Sequence, residues 1–216
     1  YAWSPTTNMT NSGTLSPTVS PTVTTTYTLT ATDQTGCTAS DNVTVTVNPS
    51  VTASVNSSTI CSGQSATLTC TPSITGGTYL WSPGGQTTAS ITVSPTTTTT
   101  YTVTYNTGTS CGSVTATATV TVNAKPTAAP TATPANICNG QSTTLAANAT
   151  AGSGSISTYV WSSGLAGNVS GGSVSPTANT TYTVTVTNSN SCTVTGSVLV
   201  NVNANPTVSP TAAPAT

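Results

Sequence analysis

The sequence predicts an all-β protein made of tandem copies of a small two-sheet β-sandwich. Two observations carry this prediction: one constellation of aromatic, Pro and Cys residues recurs three times, and apolar residues alternate with Thr, Ser or Asn. Alternation at period two is typical of strands with one buried face, and no segment has a convincing helical period. Short strands separated by turn residues, about six or seven in each copy, favour a sandwich.

The recurring constellation places a Tyr six residues after a Pro and ten residues before a Cys. Its Tyr residues are Tyr27, Tyr101 and Tyr182, and the Trp residues that precede them are Trp3, Trp81 and Trp161. Trp-to-Trp spacings of 78 and 80 residues fit a small domain rather than a solenoid turn. The Trp residues lie on a predicted central strand and the Tyr residues open a later one. We therefore expect all six in structural cores rather than on a ligand-binding face.

Strands are predicted most clearly in the second and third copies. In the second copy they cover residues 51–56, 66–71, 79–81, 89–93, 101–105 and 114–122; in the third they cover 143–147, 159–161, 172–174, 182–186 and 194–202. Residues 50–125 and 126–205 are thus predicted to be complete domains, and 1–49 the C-terminal part of another. Residues 206–216 are predicted to be the first strand of a following domain, or a donor strand that completes the half-domain of another chain.

Composition excludes most kinds of chemistry. The 216 residues include one Lys and two Asp but no Arg, Glu or His, and 1% of them are charged, against about a quarter in ordinary domains. General acid–base catalysis and nucleophile activation need such side chains close together. One cation cannot form a nucleic-acid-binding patch, and no apolar run approaches about 18 residues. We therefore expect no catalytic site, no cofactor, no nucleic-acid partner and no membrane insertion.

Several motifs resemble those of a known kind of repeat. They are ICSGQSATL at residues 60–68, ICNGQSTTL at 137–145, YLWSP at 79–83 and SPTTTTTYTVT at 94–104. The chain resembles the Ig-like or PKD-like repeats of giant secreted Bacteroidota surface proteins, including gliding-motility adhesins. The resemblance implies tandem Ig-like β-sandwich domains arranged end to end, with the Tyr residues at the tyrosine corner. Calcium between domains is not expected, because Asp33 and Asp41 are the only carboxylate side chains.

Six Cys residues without His or a CxxC pair predict disulfides in an oxidising compartment rather than a zinc site. Pairing within each copy, Cys61 with Cys111 and Cys138 with Cys192, is the simplest expectation. Pairing between neighbouring copies, for example Cys61 with Cys192, stays open because the two Cys of one Ig-like domain lie at opposite ends of the sandwich. Cys70 is either a buried thiol or part of a local bridge, and Cys37 lacks its expected partner.

An uncharged surface rich in Thr, Ser and Asn requires an explanation, because proteins without net charge lose the repulsion that keeps them soluble. One hypothesis is glycosylation, either O-linked on Thr or N-linked at the six sequons, which are Asn8, Asn42, Asn56, Asn148, Asn168 and Asn179. Another is that neighbouring copies cover the surface in a fibre.

These observations together predict a structural protein rather than an enzyme. We expect a repeat section of a secreted bacterial cell-surface adhesin or extracellular filament, acting as a disulfide-stabilised stalk or fibre. Its expected partners are other copies of itself or neighbouring repeats, and glycans, at an extracellular or cell-surface location. The alternative is an adhesive array that binds polysaccharide or cell surfaces through Thr-rich faces. An exposed aromatic cluster would favour binding, and buried Trp and Tyr would favour the stalk.

Overall fold

The computed structural model describes residues 1–108 and 112–211, and within these ranges every regular element is a β-strand. The predicted all-β class is therefore confirmed. The part of the chain that the structure describes contains no helix long and apolar enough to span a membrane.

The first repeat contains a three-stranded antiparallel sheet in the order β1-β4-β5 and a separate β2-β3 pair. In the sheet, Trp3 lies opposite Leu29. Beside it is an open groove of about 210 Å³, lined in part by Trp3, Tyr27 and Val43. The strands are β1 (Ala2–Ser4), β2 (Met9–Thr10), β3 (Thr18–Val19), β4 (Thr25–Thr32) and β5 (Thr38–Val45).

The second repeat contributes seven strands in two sheets, ordered β10-β8-β6 and β7-β12-β11-β9. Strand β7 pairs parallel to β12, whereas β9 pairs antiparallel to β11. The strands are β6 (Ala53–Val55), β7 (Ser58–Cys61), β8 (Ala66–Pro72), β9 (Thr78–Ser82), β10 (Ser90–Val93), β11 (Thr99–Asn106) and β12 (Ser113–Asn123).

The third repeat has nearly the same plan. Its sheets are ordered β14-β16-β19 and β15-β21-β20-β18, with an additional β13-β17 pair, and β15 again pairs parallel to the last strand. The strands are β13 (Thr127–Ala128), β14 (Thr131–Thr133), β15 (Asn136–Cys138), β16 (Thr143–Ala146), β17 (Ala149–Thr150), β18 (Ile156–Trp161), β19 (Gly171–Val174), β20 (Thr180–Asn188) and β21 (Thr193–Asn203).

The core of the third repeat follows directly from strand alternation. Along β20 the buried residues occur at every second position, so that one face of the strand is buried and, apart from Asn188 at its end, apolar, and the other face carries Thr. The core cluster consists of Ile137, Leu145, Ala147, Trp161, Val174, Tyr182, Val184, Val186 and Val200.

The second and third repeats contain five short strands that the sequence pattern does not indicate, β7, β13, β14, β15 and β17, and two of them bear on the site. Strands β7 and β15 occupy positions where the pattern suggests only turns before the second predicted strand. Each has a single fully buried residue, Ile60 or Ile137, and forms its ladder with a distant segment of the chain. Such short edge strands give no alternation to detect.

Contacts along the backbone group the chain into two compact units. One comprises residues 1–54, 70–89 and 102–116, and the other comprises 55–69, 90–101 and 117–216. Because this grouping passes through the second repeat, the predicted domain boundaries at 49, 125 and 205 stay a prediction. The site described next lies wholly within the second unit.

Candidate functional site: a disulfide-bonded joint

A disulfide bond joins the second repeat to the third. It connects Cys61, the last residue of β7, to Cys192 in the turn between β20 and β21; the two Cα atoms are 5.6 Å apart, and the sequence separation is 131. We refer to the bridge, the linker residues 123–125 and the loops that contact them as the joint.

The expected pairing within each repeat is wrong, and the alternative pairing between neighbouring repeats is confirmed for Cys61 and Cys192. The reason is the length of the last strand. Cys192 directly precedes β21, whereas Cys138 lies opposite Asn203 at the far end of that strand. An eleven-residue strand spans about 33 Å, far beyond the roughly 7 Å that a disulfide tolerates between Cα atoms. Cys61 has the equivalent position at the end of β12, and its expected partner Cys111 lies outside the described residues.

The position of Cys61 is fixed by backbone pairing and by one Gln side chain. Cys61 lies opposite Asn123 in the parallel β7-β12 ladder, and the N–H of Ser62 donates to the Asn123 carbonyl at 2.8 Å. The Cys61 N–H donates to Oε1 of Gln64 at 2.9 Å, and the N–H of Gln64 donates back to the Cys61 carbonyl at 3.0 Å. The Gln in the repeated Cys-x-Gly-Gln motif therefore closes the turn that presents the sulfur.

The turn that presents Cys192 is organised by the side chain of Asn188. Its Oδ1 accepts hydrogen bonds from the N–H groups of Asn190 at 3.1 Å and Cys192 at 3.0 Å. The backbone adds a bond from Asn188 N–H to the Cys192 carbonyl at 3.0 Å, and Ser191 adopts a positive φ of 63°. Asn and Asp are favoured in such turns because their side-chain oxygens bond to backbone N–H groups a few residues ahead.

Asn188 also connects this turn to the linker. It is 1% exposed, and its Nδ2 donates to the carbonyls of Ala124 at 3.1 Å and Ala151 at 3.0 Å. Both N–H bonds of the amide and both acceptor positions are thus in use. A buried amide satisfied in this way fixes the geometry of every group it contacts.

The linker is further held by a loop of the third repeat. The Ala124 N–H donates to Oγ of Ser153 at 2.9 Å, and the Ser153 N–H donates to the Ala124 carbonyl at 3.2 Å. Gly152 has a φ of +68°, and a Cβ there would overlap the backbone oxygens of Lys125 and Ala124. Only glycine allows both this backbone conformation and this close approach.

No family model matches the chain. No curated protein matches it either. Solved structures do match: the N-terminal eight Ig domains of Down Syndrome Cell Adhesion Molecule align with a TM-score of 0.50 at 12% identity, over 84% of this chain and 27% of that one. Drosophila OTK extracellular domains 3–5 align with a TM-score of 0.44 at 15% identity, over 83% of this chain and 71% of that one. Sidekick-1 immunoglobulin domains 1–4 align with a TM-score of 0.39 at 14% identity, over 83% of this chain and 58% of that one.

The fold is that of tandem immunoglobulin-like domains. These likenesses concern the fold alone, because the identities are low and the chain spans only about a quarter of the Down Syndrome Cell Adhesion Molecule fragment.

Among the residues that the structure describes, three other Cys residues are free thiols. Cys37 and Cys138 are exposed, whereas Cys70 is buried. Burial raises the pKa of the Cys70 thiol, which disfavours the reactive thiolate. In the third repeat Ala147 stands at the equivalent position and is equally buried, so the site accepts a small apolar side chain.

The aromatic residues of the repeated constellation lie mostly in the interior. Trp81, Trp161, Tyr27, Tyr101 and Tyr182 are buried, whereas Trp3 is half-buried. Each indole N–H donates to a backbone carbonyl of the segment that follows its strand: Trp3 to Thr14 at 2.9 Å, Trp81 to Thr88 at 2.9 Å and Trp161 to Val169 at 3.1 Å. These bonds make the Trp residues anchors for the segment after the third strand of the domain.

Sequence reasoning did not single out Tyr105. Its ring is fully buried, and its hydroxyl donates to the Ile74 carbonyl at 2.6 Å and accepts from the Gly77 N–H at 2.8 Å. The equivalent residue of the third repeat is Val186, so comparison between repeats gave no signal for Tyr105. The hydroxyl closes a loop within the second repeat.

The six sequon Asn residues are all exposed, but several have structural contacts. The Nδ2 groups of Asn56, Asn148 and Asn168 donate to the carbonyls of Thr67, Ala129 and Ser157, respectively. The Oδ1 atoms of Asn42 and Asn179 accept hydrogen bonds from Thr28 and Val202, and Asn8 adopts a positive φ of 57°. Glycosylation at these positions stays a prediction.

The described residues contain no group of three or more His, Cys, Asp or Glu side chains that could hold a metal ion. Asp33 lies in a turn, where its Oδ1 accepts from the Thr35 hydroxyl at 2.7 Å and from the N–H groups of Thr35 and Cys37 at 2.8 and 2.9 Å. The Thr35 hydroxyl, followed by these backbone bonds, lowers the pKa of Asp33. Its carboxylate therefore organises a turn.

Proposed function

We propose that the chain is a structural repeat section of a secreted bacterial cell-surface adhesin or extracellular filament, of the kind found in giant Bacteroidota surface adhesins. It acts as a disulfide-stabilised stalk or fibre outside the cell, and it is not an enzyme. The observation that carries the proposal is the Cys61–Cys192 bridge, because it closes around a linker already held by the amide of Asn188 and by Gly152. A joint of this kind resists extension and cleavage of the linker.

The placement of aromatic side chains supports a structural role over ligand binding. Sugar-binding sites commonly present exposed aromatic faces, whereas in this chain five of the six aromatic residues of the constellation are buried. The exposed large hydrophobic residues include a single aromatic, Tyr1, at 63% exposure. The interior position of Trp and Tyr is the arrangement expected of a stalk.

The Thr-rich faces also have a structural explanation. Thr hydroxyls bond to one another between neighbouring strands: Thr26 to Thr44 at 2.8 Å, Thr100 to Thr119 at 3.2 Å and Thr127 to Thr150 at 2.6 Å. Such cross-strand pairs each stabilise a sheet by a few tenths to about 1 kcal/mol. Thr in these rows therefore contributes to sheet stability without a ligand.

The stalk proposal can be tested by pulling single molecules from their two ends. The bridge should remove the 131-residue segment between the two Cys from the extensible length, so the unfolded oxidised chain should be shorter by about 430–470 Å than the reduced chain. The Cys61→Ser/Cys192→Ser variant should extend fully without reductant, and Cys37→Ser/Cys138→Ser should behave as the parent chain. Equal extension of the oxidised and reduced parent chains would show that the joint does not resist pulling.

The second candidate function is an adhesive array that binds polysaccharide or cell surfaces through its Thr-rich faces. The observation in its favour is β5, where seven of the eight residues are exposed, including both Thr residues and Val43. Retention of the chain on immobilised polysaccharides, lost in Thr38→Lys/Thr44→Lys and kept in Thr96→Lys, would support it. An absence of retention on a broad panel would leave the stalk role as the explanation.

A further inference from the structure

The joint has two sides, and each side occurs a second time in the chain, at two separate places. One side, which we call the edge half, is formed in the joint by Cys61, Ser62 and the linker 123–126. The other, the hairpin half, consists of residues 188–192. A second edge half lies in the third repeat around Cys138 and residues 203–206, and a second hairpin half lies in the first repeat at residues 33–37.

The second edge half matches the first in register and hydrogen bonding. Cys138 lies opposite Asn203 in a parallel ladder, as Cys61 lies opposite Asn123. The N–H of Asn139 donates to the Asn203 carbonyl at 3.0 Å, which reproduces the 2.8 Å bond from Ser62. The following residues are Ala-Asn-Pro in place of Ala-Lys-Pro.

The second hairpin half repeats the hydrogen bonds between the first and last residues of the first hairpin half. Asp33 N–H donates to the Cys37 carbonyl at 3.0 Å, and Asp33 Oδ1 accepts from the Cys37 N–H at 2.9 Å. The corresponding bonds between Asn188 and Cys192 are both 3.0 Å. The residue before each Cys has a positive φ, 90° at Gly36 and 63° at Ser191. Cys37 is therefore presented on the same scaffold as Cys192.

The two copies differ in what covers them. In the occupied joint Cys192 and Asn188 are 0% and 1% exposed, whereas Cys37 and Asp33 are exposed. At the second edge half, Cys138 and Pro206 are exposed, and an open cavity of about 450 Å³ is lined in part by Asn139 and Asn203. Each exposed half thus keeps the backbone arrangement and the Cys residue that the corresponding half uses in the Cys61–Cys192 bridge.

We propose that the hairpin half of one copy of the chain docks on the edge half of a second copy, and that Cys37 forms a disulfide with the second copy's Cys138. Two thiols lose two protons and two electrons as the Sγ–Sγ bond forms, and an extracellular small-molecule disulfide such as oxidised glutathione accepts them and becomes two thiols. This interface goes beyond the proposed stalk role, because it assigns the contact through which copies join.

One chemical difference sharpens the proposal. Asn188 donates an N–H to the Ala124 carbonyl, but the carboxylate of Asp33 has no hydrogen to give to the equivalent Ala204 carbonyl. The Asp33→Asn variant restores that donor and keeps the Oδ1 acceptor of the turn. We expect it to speed linkage between copies by up to about tenfold, the largest gain that one added hydrogen bond commonly supplies.

The experiment mixes equal amounts of ¹⁵N-labelled and unlabelled chains in a Cys111→Ser background with reduced and oxidised glutathione. We expect a ladder of oligomers on non-reducing gels and, by mass spectrometry, Cys37–Cys138 peptides that carry one labelled and one unlabelled partner. Cys37→Ser and Cys138→Ser should each abolish the ladder, whereas Cys70→Ala should leave it unchanged. The Cys61–Cys192 peptide, monitored in every sample, shows that the joint itself is intact.

Three results would overturn the proposal: free Cys37 and Cys138 thiols in a sample whose Cys61–Cys192 bond is formed, Cys37–Cys138 peptides with only matching isotopes, or symmetric Cys37–Cys37 and Cys138–Cys138 links. An unchanged or slower rate for Asp33→Asn would contradict docking by the hairpin contacts seen in the joint. None of these outcomes bears on the pulling experiment, so failure of this interface is distinguishable from failure of the stalk proposal.

Discussion

At the residue scale, the side chain of Asn188 connects the linker, the loop at Ala151 and the turn that presents Cys192. Nothing in its sequence context distinguishes it from the many other Asn residues, because its role depends on two carbonyls 37 and 64 residues away. Its one sequence signal is the position four residues before a repeated Cys, which Asp33 shares. The Trp and Tyr residues of the constellation, by contrast, stand out in the sequence because their spacing repeats.

Asn188→Asp tests the importance of this amide. The substitution keeps the acceptor for the turn but removes two N–H donors and directs a buried carboxylate toward two carbonyls. We expect it to lower the free energy of unfolding of the bridged second and third repeats by about 2–4 kcal/mol near pH 7, measured by urea denaturation followed by Trp fluorescence. Asn190→Asp, at an exposed residue of the same turn, should cost less than about 1 kcal/mol. Equal effects of the two variants would contradict the role assigned to Asn188.

At the element scale, the longer strands could be predicted to within three residues at each end, because their apolar residues alternate with polar ones. The region predicted as 114–122 is β12, and the region predicted as 194–202 is β21. Strands β7 and β15 could not be predicted, since each is short and forms its ladder with a segment more than sixty residues away. This omission matters for the site, because these strands place Cys61 and Cys138.

The hairpin at Asp33 should respond to acid. The Thr35 hydroxyl, followed by the backbone N–H groups of Cys37 and Thr35, lowers the pKa of Asp33 below its ordinary value of 3.8. A group with a lowered pKa stabilises the folded turn fully above its ordinary pKa, and that stabilisation is lost as the pH falls through the lowered pKa. The amide ¹H–¹⁵N resonances of Thr35 and Cys37 should therefore titrate with a midpoint below 3.8.

The third repeat provides an internal control for this titration. The equivalent turn has Asn188 in place of Asp33, so the amide resonances of Asn190 and Cys192 should stay constant over the same range of pH. Asp33→Asn should likewise remove the titration at Thr35 and Cys37 while keeping their hydrogen bonds. A midpoint at or above the ordinary value would show that the carboxylate does not accept these bonds in solution.

At the scale of the whole molecule, sequence spacing predicted the existence of disulfides but favoured the wrong partners. Spacing shows which Cys residues are equivalent, but it does not show that Cys138 and Cys192 lie at opposite ends of the eleven-residue strand β21. Ig-like topology supplied that objection and kept pairing between neighbours open. The bridge therefore follows from strand direction and length rather than from the order of Cys residues.

The bridge should make the second and third repeats unfold together. On the chain-entropy model, closing a loop of 131 residues destabilises the unfolded chain by about 5 kcal/mol. That contribution is largest when the whole loop unfolds, because unfolding of one repeat leaves the loop partly ordered by the other.

Scanning calorimetry of the oxidised chain should therefore show the second and third repeats in one transition. Cys61→Ser/Cys192→Ser should separate it into two, and Cys37→Ser/Cys138→Ser should not. Two separate transitions in the oxidised parent chain would show that the bridge tethers the repeats without coupling their stability.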